Sequence, residues 1–132
     1  MTSSPRESHS EGRRGEARAA AYFRRRGWKV EAKNFRAGPG EIDLIVSKEG
    51  QLVFVEVKMR RGSATGDPLE AVSPRKVQRV SAAAAAYLSQ RGGDTPHCRF
   101  DILTLGPDKT LFGTLKMRHY ENAYESDGRY MV

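Results

Sequence analysis

Residues 40–61 read GEIDLIVSKEGQLVFVEVKMRR. Two runs rich in β-branched residues, Glu41 to Ser47 and Leu52 to Met59, flank Glu49-Gly50, a composition that predicts a β-hairpin. A loop of two residues (Glu49-Gly50) or of four (Lys48 to Gln51) sets the same register, with Ser47 opposite Leu52. Counting outward, Ile42 faces Val57, Leu44 faces Val55 and Val46 faces Val53, so one face is wholly aliphatic and must lie in a core. On the other face Ile45 meets Phe54, Asp43 meets Glu56 and Glu41 meets Lys58. That face begins apolar and ends charged.

Two carboxylates directly across an antiparallel pair repel each other and destabilise a sheet unless something compensates. A hard divalent cation, magnesium or manganese, is the compensator expected here. It prefers oxygen ligands, needs few protein carboxylates, and keeps waters that can become nucleophiles. Asp43 and Glu56 are the expected metal ligands, together with the main-chain carbonyl of Val57. Lys58, two residues beyond Glu56 on the same face, is placed to polarise a water or to neutralise a phosphate in the transition state. The plain alternative is an edge hairpin whose charged face meets solvent, with Glu41 and Lys58 as an ordinary ion pair. Against it, Ile45, Leu52 and Phe54 predict burial on both faces, and an acidic cluster within a basic chain suits a metal that faces phosphate.

Around the hairpin the remaining elements follow with short connections and no internal repeat. Glu16, Ala19, Ala20 and Phe23 lie at helical spacing within Gly12 to Arg26, and Gly27 is placed to cap that helix. Trp28, Val30 and Ala32 alternate with Lys29, Glu31 and Lys33, the period of a half-exposed strand closed by the loop FRAGPG. Ser73-Pro74 supplies an N-cap followed by proline at the first helical position, opening a helix to about Gln90 that stops at Gly92-Gly93. Its buried stripe is Val77, Val80, Ala84, Tyr87 and Leu88. Two last strands, Phe100 to Leu105 and Thr110 to Met117, turn at GPDK. The expected organisation is a disordered leader over residues 1–11, a single domain over 12–125 and a flexible tail over 126–132. The fold class is α/β, with one mixed sheet flanked by helices.

The chain has 132 residues, too few for a second catalytic domain, and its formal charge of +7 rests on 23 basic residues, 16 of them Arg. Arg forks match phosphate oxygens in pairs, so the expected partner is a nucleic acid, DNA first. Arg36, Arg60, Arg61, Arg75, Lys76 and Arg79 are the candidate phosphate contacts. Arg75, Lys76 and Arg79 crowd the start of a helix, where cations oppose the dipole and a nearby anion would relieve them. The single Cys98 excludes disulfides within the chain and a cysteine-type zinc site. No stretch is long and apolar enough to span a membrane and no secretory signal precedes the domain, so a cytoplasmic protein without membrane partners is expected. A homodimer stays open.

The ordered set GRRGEARAAAYFRRRGW, GPGEIDLIV, LVFVEVKMRR, PLEAV with PRK, CRFDIL and HYENAY resembles the small bacterial YraN-like (UPF0102) family over Gly12 to Tyr124. GEIDLI and VFVEVK, with Glu16, look like the restriction-endonuclease-like PD-(D/E)XK superfamily. The resemblance implies a restriction-endonuclease-like core and a catalytic trio of Asp43, Glu56 and Lys58 at a magnesium site. It also implies a helix-borne acid at Glu16, as in archaeal Holliday-junction resolvases. Glu16 reads equally as a first-turn acid that favours the helix dipole. Pro39 stands four residues before Asp43, and the Gln-x-x-x-Tyr motif of RecB-type nucleases is absent. The implied activity is magnesium-dependent endonucleolytic hydrolysis of DNA, at branched structures such as Holliday junctions. The rivals are a nucleic-acid-binding module without catalysis on the same scaffold and a protein-interaction adaptor.

Overall fold

A computed structural model describes residues 5–59, 72–107 and 115–126. Arg60, Arg61, the residues from 62 to 71 and most of the C-terminal tail lie outside the described residues. The elements run α1 (Pro5–Arg25), β1 (Lys29–Ala37), β2 (Gly40–Lys48), β3 (Gln51–Met59), α2 (Pro74–Arg91), β4 (His97–Pro107) and β5 (Leu115–Tyr120). They form an α/β fold with one five-stranded mixed sheet in the order β1-β2-β3-β4-β5. Neighbours are antiparallel except β3 and β4, which pair in parallel from Gln51–His97 to Met59–Leu105. The chain between those two strands contains α2, the crossover that a parallel pair requires.

Helix α1 begins at Pro5, so residues 5–11 of the expected leader are helical. Proline is well suited to a first helical position, and no β-branched residue follows it before Gly15 to weaken the helix. The first strand extends to Ala37 rather than stopping at Lys33, because Phe35 and Ala37 pair with Ile42 and Gly40. The last strand is described over Leu115–Tyr120, three residues past the expected end at Met117, and its register runs from Ile102–Tyr120 to Pro107–Leu115. Residues 110–114 of the expected strand, and the GPDK turn before them except for Gly106 and Pro107, lie outside the described residues.

The hairpin closes as a two-residue turn. Lys48 pairs with Gln51, and Glu49 (φ 49°) and Gly50 (φ 77°) both occupy the left-handed region that matches the strand twist. Ser47–Leu52, Val46–Val53, Ile45–Phe54 and Leu44–Val55 pair as counted from the sequence.

Alternation on β3 then divides the core. Val53 and Val55 join Leu44, Val46, Leu103 and Leu105 against Ala19, Ala20 and Phe23 of α1. Leu52 and Phe54 join Ile42, Ile45 and Phe100 against Val80, Ala83 and Ala84 of α2. One helix therefore covers each face, and Ile45, Leu52 and Phe54 are fully buried. Ile42 departs from the expected pattern. It packs on the α2 side with Ile45, three residues away, and not on the aliphatic face with Leu44 and Val46.

The two layers meet closely at the start of β2. A Cβ at Gly40 would collide with the Arg79 carbonyl oxygen of α2 and stand 3.0 Å from the Ala83 Cβ. Gly40→Ala must push the helix off the sheet, at a cost of about 2–3 kcal/mol, the range of overpacked cores. Thermal unfolding followed by circular dichroism checks this, with a fall of roughly 5–15 °C expected for a domain of this size.

Candidate functional site

Strand β2 changes character at Asp43. Its side chain reaches across to β3, where Oδ2 accepts the Val57 N–H at 2.8 Å. The β2–β3 ladder ends at Leu44–Val55. The expected cross-strand pairs Asp43–Glu56, Ile42–Val57 and Glu41–Lys58 are absent from it, because a carboxylate has taken a donor that the ladder would use. On the other side of β2, Asn34 adopts φ 51° between the Lys33–Leu44 and Phe35–Ile42 pairs. This local twist accounts for the transfer of Ile42 to the α2 face.

Where the strands diverge, a cleft of about 370 Å³ opens beneath the first turns of α2. Glu41, Asp43 and Glu56 line one side, and Arg75, Lys76 and Arg79 line the other, with Pro39, Ser73 and Val80 completing the wall. The helix start is rigidly placed. Ser73 is extended (φ −72°, ψ 159°), Pro74 follows it, and the Ser73 hydroxyl accepts the Lys76 N–H at 3.1 Å. Glu56 sits near the carboxyl end of β3, where open α/β sheets place their ligand sites.

Asp43 and Glu56 thus share one cleft. The Glu56 side chain is 10% exposed and its Oε1 is ion-paired with the Lys76 ammonium. Burial and then the Glu56 carboxylate push the Asp43 carboxyl up to about 7, against opposing pulls from the Val57 N–H and Lys76. Tyr124 also belongs to this neighbourhood. Its ring packs against Phe100 at a tilt of 37° with centroids 5.4 Å apart, and burial together with the charges of Glu56 and Asp43 pushes its phenol up.

The other expected residues are dispersed. Lys58 stands two residues from Glu56 but is exposed, and it does not line the cleft. Glu41 pairs with Arg36 (3.6 Å) on the surface instead of with Lys58. Glu16 of α1 accepts a hydrogen bond from Asn34 Nδ2 at 2.6 Å and also lies off the cleft. Lys76, expected at phosphate, is held on Glu56. Two features escaped the sequence reading: the Lys76–Glu56 pair, for which PLEAV with PRK was the only visible sign, and Tyr124, signalled only by HYENAY.

Among the described residues no three His, Cys, Asp or Glu side chains gather closely enough to hold a metal ion. The donor set still fits magnesium. That ion typically takes one or two carboxylates and completes its octahedron with waters and substrate phosphates. A half-buried carboxyl raised by burial and then by its acidic neighbour is one that a cation would relieve.

A second polar cluster lies on the α1 face. Asp101, fully buried, accepts from Arg99 Nε and Nη2 at 2.8 Å each and from the Asn122 N–H at 2.9 Å, and its Oδ2 lies 2.6 Å from His119 Nε2. The Tyr22 hydroxyl of α1 meets the other His119 nitrogen, Nδ1, at 3.1 Å. Burial pushes the Asp101 carboxyl up, but the hydrogen bonds from His119, Arg99 and Asn122 together hold it below the ordinary carboxylate range. Every oxygen is satisfied, and the cluster ties β4, β5 and α1 together. It is a structural clamp.

Residues 15–105, spanning both cleft strands and all of α2, match the model of the family described as Uncharacterised protein family UPF0102. The chain is similar to a UPF0102 protein of Symbiobacterium thermophilum, 43% identical over 117 residues, covering 87% of this chain and 96% of that one. It is 35% identical over 130 residues to a UPF0102 protein of Chlorobium phaeobacteroides, covering 96% of this chain and all of that one. A UPF0102 protein of Anaeromyxobacter dehalogenans is 40% identical over 120 residues, covering 89% and 86% of the two chains. With the family model and near-full-length relatives in agreement, the chain belongs to UPF0102, the YraN-like family.

Proposed function

We propose that this chain is a divalent-cation-dependent endonuclease that hydrolyses DNA phosphodiester bonds in the cleft between β2, β3 and α2. The observation that carries the proposal is the pairing of Asp43 and Glu56 opposite Arg75, Lys76 and Arg79 within one cleft. Two acids to hold a metal and a cationic wall to hold phosphate are the two halves of a metal-assisted phosphodiesterase site. The resemblance of GEIDLI and VFVEVK to the PD-(D/E)XK superfamily supports the same assignment.

In this reading Asp43 and Glu56 would hold magnesium or manganese. The bound ion would supply Lewis acidity at a phosphate oxygen and a more acidic water. The chain's own residues do the rest. Arg75 and Arg79 bind and orient the backbone, aided by the amino end of α2. The Val57 N–H fixes one Asp43 oxygen and leaves the other available, on a carboxyl that exchanges its proton near pH 7. Lys58, exposed and not part of the cleft lining, would neutralise the phosphate from outside the cleft.

The test is incubation of the full chain with linear, nicked, forked and four-way DNA and with RNA, in magnesium or manganese, beside Glu56→Ala. Metal-dependent cleavage by the parent is expected, with branched DNA cut fastest and the variant reduced at least a thousandfold, about the loss seen when a central catalytic group is removed. A second reading, binding without cleavage, is favoured by one observation: the Lys76 ammonium is seated on Glu56, one of the two carboxylates that would hold the metal. A gel shift in chelator without cleavage in either metal would establish that reading in place of the first.

A further inference from the structure

Glu56 projects from the middle strand of a sheet that is apolar on both faces, and its side chain is only 10% exposed. A carboxylate in that position needs a counter-charge. The lysine two residues along its own strand does not provide one; the ammonium comes from Lys76, one element away. Lys76 is not on a loose surface arm. Its amide is bound by the Ser73 hydroxyl, and Pro74 fixes the helix start. The first turn of α2 contains no acidic residue, and Arg75 and Arg79 lie beside Lys76 in the cleft wall. A cation there is disfavoured by the helix dipole and by its neighbours. Glu56 is what makes the position tolerable.

We infer that Lys76 is the resident cation of the acid cleft, which competes with a divalent ion for Glu56 and is released toward phosphate when the ion takes its place. The inference rests on the metal-site reading of Asp43 and Glu56. Before loading, the ammonium supplies the positive charge that one of the two acids requires. Once an ion occupies the pair, Lys76 is left among Arg75 and Arg79 with no carboxylate partner, and a phosphate oxygen becomes its natural anion. Lys76 is thereby a positioning residue that couples metal loading to phosphate binding. Lys58, exposed and absent from the cleft lining, cannot do this.

The experiment is calorimetric titration of the full chain with manganese, without DNA, for the parent, Lys76→Met and Lys76→Gln, each checked for folding by circular dichroism. Removing the competitor should tighten manganese binding by about fivefold or more, the worth of one unit charge at contact distance in a wet cleft. Manganese should also raise the melting temperature more in the variants than in the parent. Lys76→Arg, which keeps the charge, should stay near parental affinity. Lys76→Gln can still hydrogen-bond to Glu56, so it answers the question if Lys76→Met is unstable. Folded variants that bind manganese no tighter than the parent overturn the role of Lys76 and leave the metal site standing. If neither parent nor variants bind manganese, the metal reading of the acid pair fails, and this inference with it.

Discussion

Asp43→Asn is expected to abolish metal-dependent cleavage and, in chelator, to make the folded protein more stable at pH 8. The two effects have one origin. Burial and the Glu56 carboxylate push the Asp43 carboxyl up to about 7, from 3.8 for a free side chain. Between those values the folded chain keeps a proton that the unfolded chain has lost. Stability from this group is therefore full below about pH 4, falls as pH rises toward 7, and levels off above it. The neutral amide is nearly isosteric and keeps an oxygen for the Val57 N–H, so it escapes that loss. Each unit of displacement is worth about 1.4 kcal/mol, and solvent reaching the cleft reduces the gain to roughly 1–3 kcal/mol. Urea unfolding at pH 5 and pH 8 reads it: parent and variant should differ far more at pH 8. Cleavage should drop at least a thousandfold, about the loss expected when one of two metal-holding carboxylates goes. Metal-free DNA binding should hold or tighten, because a negative charge has left the cleft proposed to accept phosphate.

The second large effect is one of stability. Asp101 is fully buried and holds Arg99, whose side chain is 14% exposed, as well as His119 and the Asn122 amide. Asp101→Asn leaves the Arg99 guanidinium with only the exposed Glu121 carboxylate, 3.9 Å away, in place of its buried partner, and forces one amide to meet donors on both sides. Breaking a buried pair by removing one partner costs about 3–5 kcal/mol. A melting temperature lower by roughly 10–20 °C follows for a domain of this size. The parent should show the matching pH dependence. Because the folded carboxyl lies below its ordinary range, its contribution is present above about pH 4 and is lost as pH falls further. Thermal melts of the Asn variant should lose that acid-side slope.

The β2–β3 hairpin was legible because strand alternation and a two-residue turn are local properties. Counting from Glu49-Gly50 reproduced the observed register as far as Leu44–Val55. It failed one residue further on, where the Asp43 side chain takes the Val57 N–H and Asn34 enters the left-handed region. Hydrophobic pattern does not record a side chain that replaces a ladder bond, so it places Ile42 on the wrong face. The start of α2 was readable from Ser73-Pro74, and so was the crowding of Arg75, Lys76 and Arg79 in its first turns. Their partner was not. Which carboxylate a helix-borne lysine meets depends on how α2 crosses the sheet, a non-local matter that the parallel β3–β4 pairing decides. The same holds for Asp101, whose partners come from β4, β5 and the turn after it. Alternation correctly put Lys58 on the Glu56 face, but it carries no information on where that face passes from cleft to solvent.

The acid pair as a divalent-metal site is the centre of the account, and manganese binding measured by calorimetry from pH 5.5 to 8.5 tests it most directly. A carboxyl raised to about 7 must lose its proton before it can ligate. Manganese affinity is therefore expected to rise about tenfold per pH unit up to near pH 7 and then flatten, with proton release seen only on the rising limb. Asp43→Asn should bind far more weakly at every pH and show no such rise. Parental binding that is flat across this range, or an Asp43→Asn variant that binds manganese as tightly as the parent, would contradict the assignment.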